Sequence, residues 1–146
     1  MKTLTYSITI NAGKKHVWET MIDPETYKLW VKPFSPDSQF EGDWTEGSYM
    51  LFIDPPHGGT KCLLEKVQPY DKMVGKHIAL ITKDGTEDSE SDVAKEWYGT
   101  TETYSYVEEN GKTTLTVEMQ THEKFAPMFE DCWPKALELV KGLCEK

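Results

Sequence analysis

Few side chains in this chain could do chemistry: four histidines, three cysteines, and one carboxylate, Glu102, that falls in an unusual place. His16, His57, His77 and His122 show no pairing at metal-ligand spacing, and no HExxH-like pattern occurs, so metal catalysis is not expected. Cys62, Cys132 and Cys144 are odd in number and have no CxxC or Cys/His spacing. They read as buried or incidental thiols in a reducing cytoplasm. No G-x-S-x-G elbow activates a serine, and no G-x-G-x-x-G or Walker loop is present to hold a nucleotide. The residues therefore imply no cofactor and assign no catalytic side chain.

Glu102 stands out through the stretch that contains it, "TETYSYVEENGKTTLTVEMQ", residues 101–120. Asn110-Gly111 is a strong two-residue hairpin signal, because both residues accept the positive φ of a type I′ turn. Pairing outward from it sets Glu109 opposite Lys112, Tyr106 opposite Leu115, Tyr104 opposite Val117 and Glu102 opposite Met119. Side chains alternate across a strand, so Glu102 shares a face with Tyr104, Tyr106, Leu115, Val117 and Met119. That face is apolar. A bare buried charge costs many kcal/mol, so the carboxylate must find partners or stay protonated. A register slip or bulge could turn it outward, or a Tyr hydroxyl or His77 could satisfy it. The favoured reading puts Glu102 about midway along its strand, in the wall of a cavity, offering a hydrogen bond to the polar end of an otherwise apolar ligand. His77, in phase with Ala79 and Ile81, reads either as a satisfied sheet histidine or as a ligand contact.

The elements that must hold these groups follow from periodicity. Leu4, Tyr6, Ile8 and Ile10 alternate with Thr and Ser, which makes a first strand with one buried face. "GKKHVWETMI" and "DPETYKLWV" read as two short helices, with Asp23 as a cap and Pro24 at the first position of the second. "SQFEGDW", "SYMLFID", "KCLLEKVQ", "MVGKHIALI" and the hairpin form a six-strand meander. "KFAPMFEDCWPKALELVKGLCEK" is helical, with Phe125, Phe129, Cys132, Trp133, Ala136, Leu137, Leu139, Val140 and Leu143 in one apolar half. Pro134 lies on its polar side. The segment 83–96, "KDGTEDSESDVAKE", is acidic, lacks apolar periodicity and reads as a solvated, mobile loop. The 146 residues are expected to form a single domain of α+β class, one long helix packed across a curved antiparallel sheet.

This order resembles the helix-grip fold of the SRPBCC superfamily, which includes START domains and the birch-pollen-allergen type. "GKKHVWETMIDPETYKLW" is similar to that family's pattern of a small residue, VW, an apolar pair, DPE and W. "FEGDWTEGSYMLFIDPPHGG" is similar to its glycine hairpin and DP-G turn, and "LEKVQPYDKMV" to its E-V-x-P-x-x-x-L stretch. The nearest branch is the one named for homologues of activators of a heat-shock-protein ATPase. The resemblance implies a cavity between sheet and helix that holds a small, largely apolar molecule. It also implies a chaperone contact, although in the eukaryotic activators a separate N-terminal domain makes much of it.

Aromatic residues are plentiful, with five Trp, seven Tyr and five Phe. Trp18 and Trp44 are expected to be packing groups. Trp30, Phe129 and Trp133 are expected beside the pocket, facing Glu102, Tyr104, Met119 and His77 from the sheet. Hairpin turns alternate ends, so "KPFSPD", "DPPHGG", the acidic segment and "THEK" should surround the mouth. A net charge of -9 argues against nucleic acid and anionic membrane as partners. No apolar run approaches a membrane span and the N-terminus does not read as a signal peptide, which points to the cytoplasm. Binding of a small apolar or amphipathic molecule is the first functional expectation. A cyclase, hydrolase or dehydratase acting on a bound ring compound is the second, and chaperone co-regulation the third. A monomer and a homodimer both remain open.

Overall fold

The alternating residues at the N-terminus form β1 (Lys2–Ile10), with Leu4 and Ile10 buried and the threonines exposed. Its register partner comes from the far end of the chain, Ile8 against Leu115 and Leu4 against Met119 of β8 (Lys112–Thr121). The computed structural model describes all of residues 1–146. Helix α1 (Lys14–Ile22) buries Val17, Trp18 and Met21. Asp23 then closes α1 and caps α2 (Pro24–Trp30), accepting from the Glu25 amide at 2.8 Å, with Pro24 at the first turn. Strands β2 (Gln39–Glu41), β3 (Tyr49–Asp54), β4 (Gly58–Gln68) and β5 (Lys72–Ile81) follow. After them come β6 (Glu87–Asp88), α3 (Asp92–Trp97), β7 (Thr101–Glu109), β8 and the long helix α4 (Ala126–Cys144).

The sheet has eight strands in the order β1-β8-β7-β5-β4-β3-β2, all antiparallel, with β6 attached to β5. Asn110 at φ 54 and Gly111 at φ 78 make the expected turn. The β7–β8 register is the one read from the sequence, Glu102 opposite Met119. Register shifts occur instead between β4 and β5, at Lys61/Cys62 and Leu64/Lys66, where extra residues increase the local twist and curl the sheet. Helix α4 lies across the curved face and closes the core with Trp133, Ala136, Leu137 and Val140. Pro134, inside α4 but exposed, does not end the helix. This is the α+β helix-grip architecture.

Three details differ from expectation. Residues 83–96 are not a featureless loop. Ser91 caps α3 by accepting from the Ala94 amide at 3.2 Å, and Ala94 and Trp97 are buried. The cap and two apolar residues sufficed, although the helix is too short for a periodicity to be visible. Leu139 is 42% exposed, because α4 contacts the sheet along a narrower stripe than the half-cylinder its composition offers. Strand β2 covers only three residues, ending at Gly42, whose φ of 121 turns the chain away.

Leu115 is fully buried where β8 meets β1 and β7. Leu115→Ala is therefore expected to lower unfolding free energy by about 2–5 kcal/mol through lost burial and the void left behind. Leu139→Ala should change it by less than about 0.5 kcal/mol. Urea unfolding of the two variants checks this, and equal losses would contradict the assigned core.

Candidate functional site

Between the curved sheet and helices α2 and α4 lies a cavity of about 330 Å³ lined by 29 residues, 19 of them hydrophobic. This volume is within the range of small-molecule pockets, about 300–1,000 Å³. Strand phase explains its inner wall. Alternation along β7 directs Glu102, Tyr104 and Tyr106 inward, and along β5 Met73, Gly75 and His77. Cys62 and Leu64 come from β4 and Met119 from β8. The helices contribute Tyr27 and Trp30 from α2, and Phe129 and Trp133 from α4. Phe34 and Ser35, Asp54 and Gly58, Trp97 and Met128 line the end opposite the Asn110-Gly111 turn.

Gly75 stands opposite Glu102 in the β5–β7 ladder. A Cβ there would touch Cys62 and Leu64 only at 3.9–4.0 Å, so the missing side chain leaves space rather than relieving a clash. Glu102 occupies the wall next to that space, its side chain 21% exposed. It is the second residue of β7 and not midway along it, because Trp97–Thr100 are taken up by the exit from α3. Thr100 O accepts from the His77 amide at 2.9 Å, in place of a continued β5–β7 ladder.

The polar groups form a short chain. Tyr104 donates its hydroxyl to Glu102 Oε1 at 2.6 Å. His77 Nε2 lies 3.8 Å from Glu102 Oε2, beyond hydrogen-bond range. The other ring nitrogen, Nδ1, is 3.0 Å from Thr100 Oγ1, whose own proton goes to Trp97 O at 2.7 Å. Nδ1 must therefore carry the hydrogen, which leaves Nε2 of the neutral ring as an acceptor turned toward the carboxylate. Burial holds His77 below the ordinary histidine range, while the Glu102 charge pulls the other way. Burial and then the same charge raise the Tyr27, Tyr104 and Cys62 acidities' midpoints above their usual ranges, so these groups stay protonated.

All seven sequence-selected residues, Glu102, Tyr104, Met119, Trp30, His77, Phe129 and Trp133, line this one cavity. Three of them, Trp30, Met119 and Trp133, also belong to the buried core. The Trp133 indole N–H points to Met119 Sδ at 3.1 Å, the Trp30 N–H to Met21 O at 3.3 Å, and the two rings stack 6.0 Å apart. Trp18 packs on Tyr70 and Tyr106, as expected. Trp44 packs on Phe40 and Phe52, as expected, and also lines the cavity, where its indole N–H has no partner. Trp97, in no expected site position, also lines the cavity, its ring edge-on 5.5 Å from that of His77. Cys132 is buried on α4, donating to Pro33 O at 3.1 Å. His57 is exposed and pairs with Asp54 at 2.7 Å, and His122 lies 3.3 Å from Glu96.

No family model matches this chain, and no curated protein matches it. Solved structures do. Protein MLL2253 from Mesorhizobium loti superposes with a TM-score of 0.75 at 13% identity, over 99% of this chain and 97% of that one. The Aha1 dimer from Colwellia psychrerythraea gives 0.66 at 17% identity, over 99% and 95%. CalU16 from Micromonospora echinospora gives 0.65 at 15%, over 97% and 73%. What these proteins share with this chain is the fold, a helix grip. No helix is long and apolar enough to cross a membrane.

Because folding depresses the His77 pKa, the unfolded chain takes up that proton first as pH falls. The contribution of this site to stability is complete above about pH 6.5 and is lost as pH drops below it toward the lower folded-state value. Wild type is therefore expected to lose stability relative to His77→Gln across that window in urea unfolding. A difference that stays constant with pH would contradict the buried neutral histidine.

Proposed function

We propose that this protein binds a small apolar or amphipathic molecule in the cavity between the sheet and α4. The observation that carries this reading is the space beside Gly75, walled by aromatic rings and polar at one place, where a packed core would have a side chain. Protein interiors have few voids larger than a water molecule, so a pocket of this size needs a reason. Trp30, Phe129, Trp133 and Met119 would hold the apolar body, and Glu102, Tyr104 and His77 the polar end. A methionine at position 75 would extend into the cavity from an unstrained β backbone. Gly75→Met is expected to weaken binding of the neutral dye Nile red by about tenfold or more, read from its fluorescence. Unchanged dye binding in a folded variant would overturn the proposal.

A second reading, an enzyme acting as a cyclase, hydrolase or dehydratase on a bound ring compound, is favoured by one feature. A carboxylate, an imidazole acceptor and a phenol lie on the same wall, and these are the group types that general acid–base chemistry uses. It ranks below binding because Glu102 Oε2 and His77 Nε2 stand 3.8 Å apart without a hydrogen bond, so no acid–base pair is assembled in the wall. Turnover of a bound ring compound, abolished in Glu102→Gln, would reverse the ranking.

A further inference from the structure

The polar end of the cavity is specific about charge. None of the chain's lysines is among the 29 lining residues, while Glu102 stands on the inner wall and Asp54, paired with His57 at 2.7 Å, lies toward the mouth. No basic side chain beside Glu102 would neutralise an anionic head group, and the carboxylate would repel one. Around Glu102 and His77 the hydrogen bonding is equally one-sided, the unpartnered indole N–H of Trp44 lying on another part of the wall, beside Phe40 and Phe52. Tyr104 already satisfies Glu102 Oε1 at 2.6 Å, and Thr100 already satisfies His77 Nδ1 at 3.0 Å. What is left open is a pair of acceptors, Glu102 Oε2 and His77 Nε2, 3.8 Å apart on a histidine side chain only 6% exposed. Two acceptors at that distance do not bond to each other. They can both accept from one small group that carries several hydrogens, as an ammonium does. Aromatic rings stand nearby, Trp97 at 5.5 Å from the His77 ring and Trp133 at 6.2 Å from that of Tyr104, and close the surroundings of the pair with apolar surface. Asp54 Oδ1, buried without a hydrogen-bond partner, adds a further acceptor to the wall.

We propose that the ligand carries a protonated amine at one end of an apolar body, and that Glu102 Oε2 and His77 Nε2 together hold that head group. This rests on the reading of the cavity as a binding site and narrows its ligand to a class. Fatty acids and other apolar carboxylates of similar size are expected to bind more weakly there, because this pair of acceptors offers them no donor.

Three probes with one body and different heads test it: naphthylmethylamine, naphthylmethanol and naphthoate, titrated at neutral pH by calorimetry and by displacement of Nile red. The amine is expected to bind about tenfold or more tighter than the alcohol, since hydrogen bonds to a charged group exceed neutral ones by that order. The carboxylate should bind weakest. Glu102→Gln should reduce the amine-over-alcohol ratio by about tenfold. The ranking in the wild-type protein decides the matter even if that variant fails to fold. Equal displacement of the dye by all three, or preference for naphthoate, overturns the amine while leaving the cavity as a binding site. Failure of the wild-type protein to bind either dye or probes overturns both.

Discussion

A slip of one residue between β7 and β8 would put the two strands out of phase, turning Glu102 and Tyr104 to solvent and bringing Thr103 onto the cavity face beside Met119. The Asn110-Gly111 turn, with both residues at positive φ, prevents this by fixing the pairing from the closed end of the hairpin. The rest of the site depends on that register. Gly75 can stand opposite Glu102 only while β7 keeps it, and the space beside the carboxylate exists because the opposing residue has no side chain. The same face of β8 meets β1, Leu4 against Met119, so the two ends of the chain are bound into the core by the strand that sets the cavity wall.

Within that frame the energetic conflict is between desolvation and hydrogen bonding. Leaving a buried carboxylate unpaired costs several kcal/mol, and a hydrogen bond to a charged group returns about 1.5–3 kcal/mol. Tyr104 supplies one such bond, and partial exposure to the cavity relieves some of the remaining penalty. His77 meets the opposite balance. Burial disfavours its charged form, Thr100 holds its single proton on the far side of the ring, and its free nitrogen is left facing the carboxylate. The wall is thus stable without a ligand yet incompletely satisfied, which is what a binding surface requires.

Much of this was legible from residue types alone. The turn dipeptide and strict alternation set the β7–β8 face, and through it the placement of Glu102, Tyr104 and Met119. The apolar stripe of α4 located Phe129 and Trp133. What could not be read were contributions from residues whose direction depends on tertiary context. Trp44 both packs on Phe40 and Phe52 and lines the cavity, and nothing in its local pattern distinguishes the two roles. Trp97 reaches His77 from a six-residue helix in an acidic segment, too short for any periodicity to show. Gly75 looked like one more strand residue; its meaning appears only when β5 and β7 are set side by side. The start of β7 was misjudged for a related reason, since the exit from α3 takes over the hydrogen bonds that would have extended the ladder.

The central claim is that the space between sheet and α4 is kept for a small molecule. Native mass spectrometry of freshly purified protein tests it most directly, because a ligand of suitable chemistry in the producing cell should remain bound through gentle purification. The account expects a small non-covalent adduct on the folded protein that disappears on denaturation and is absent from Gly75→Met. An adduct-free folded protein, or an adduct carried equally by Gly75→Met, would contradict it.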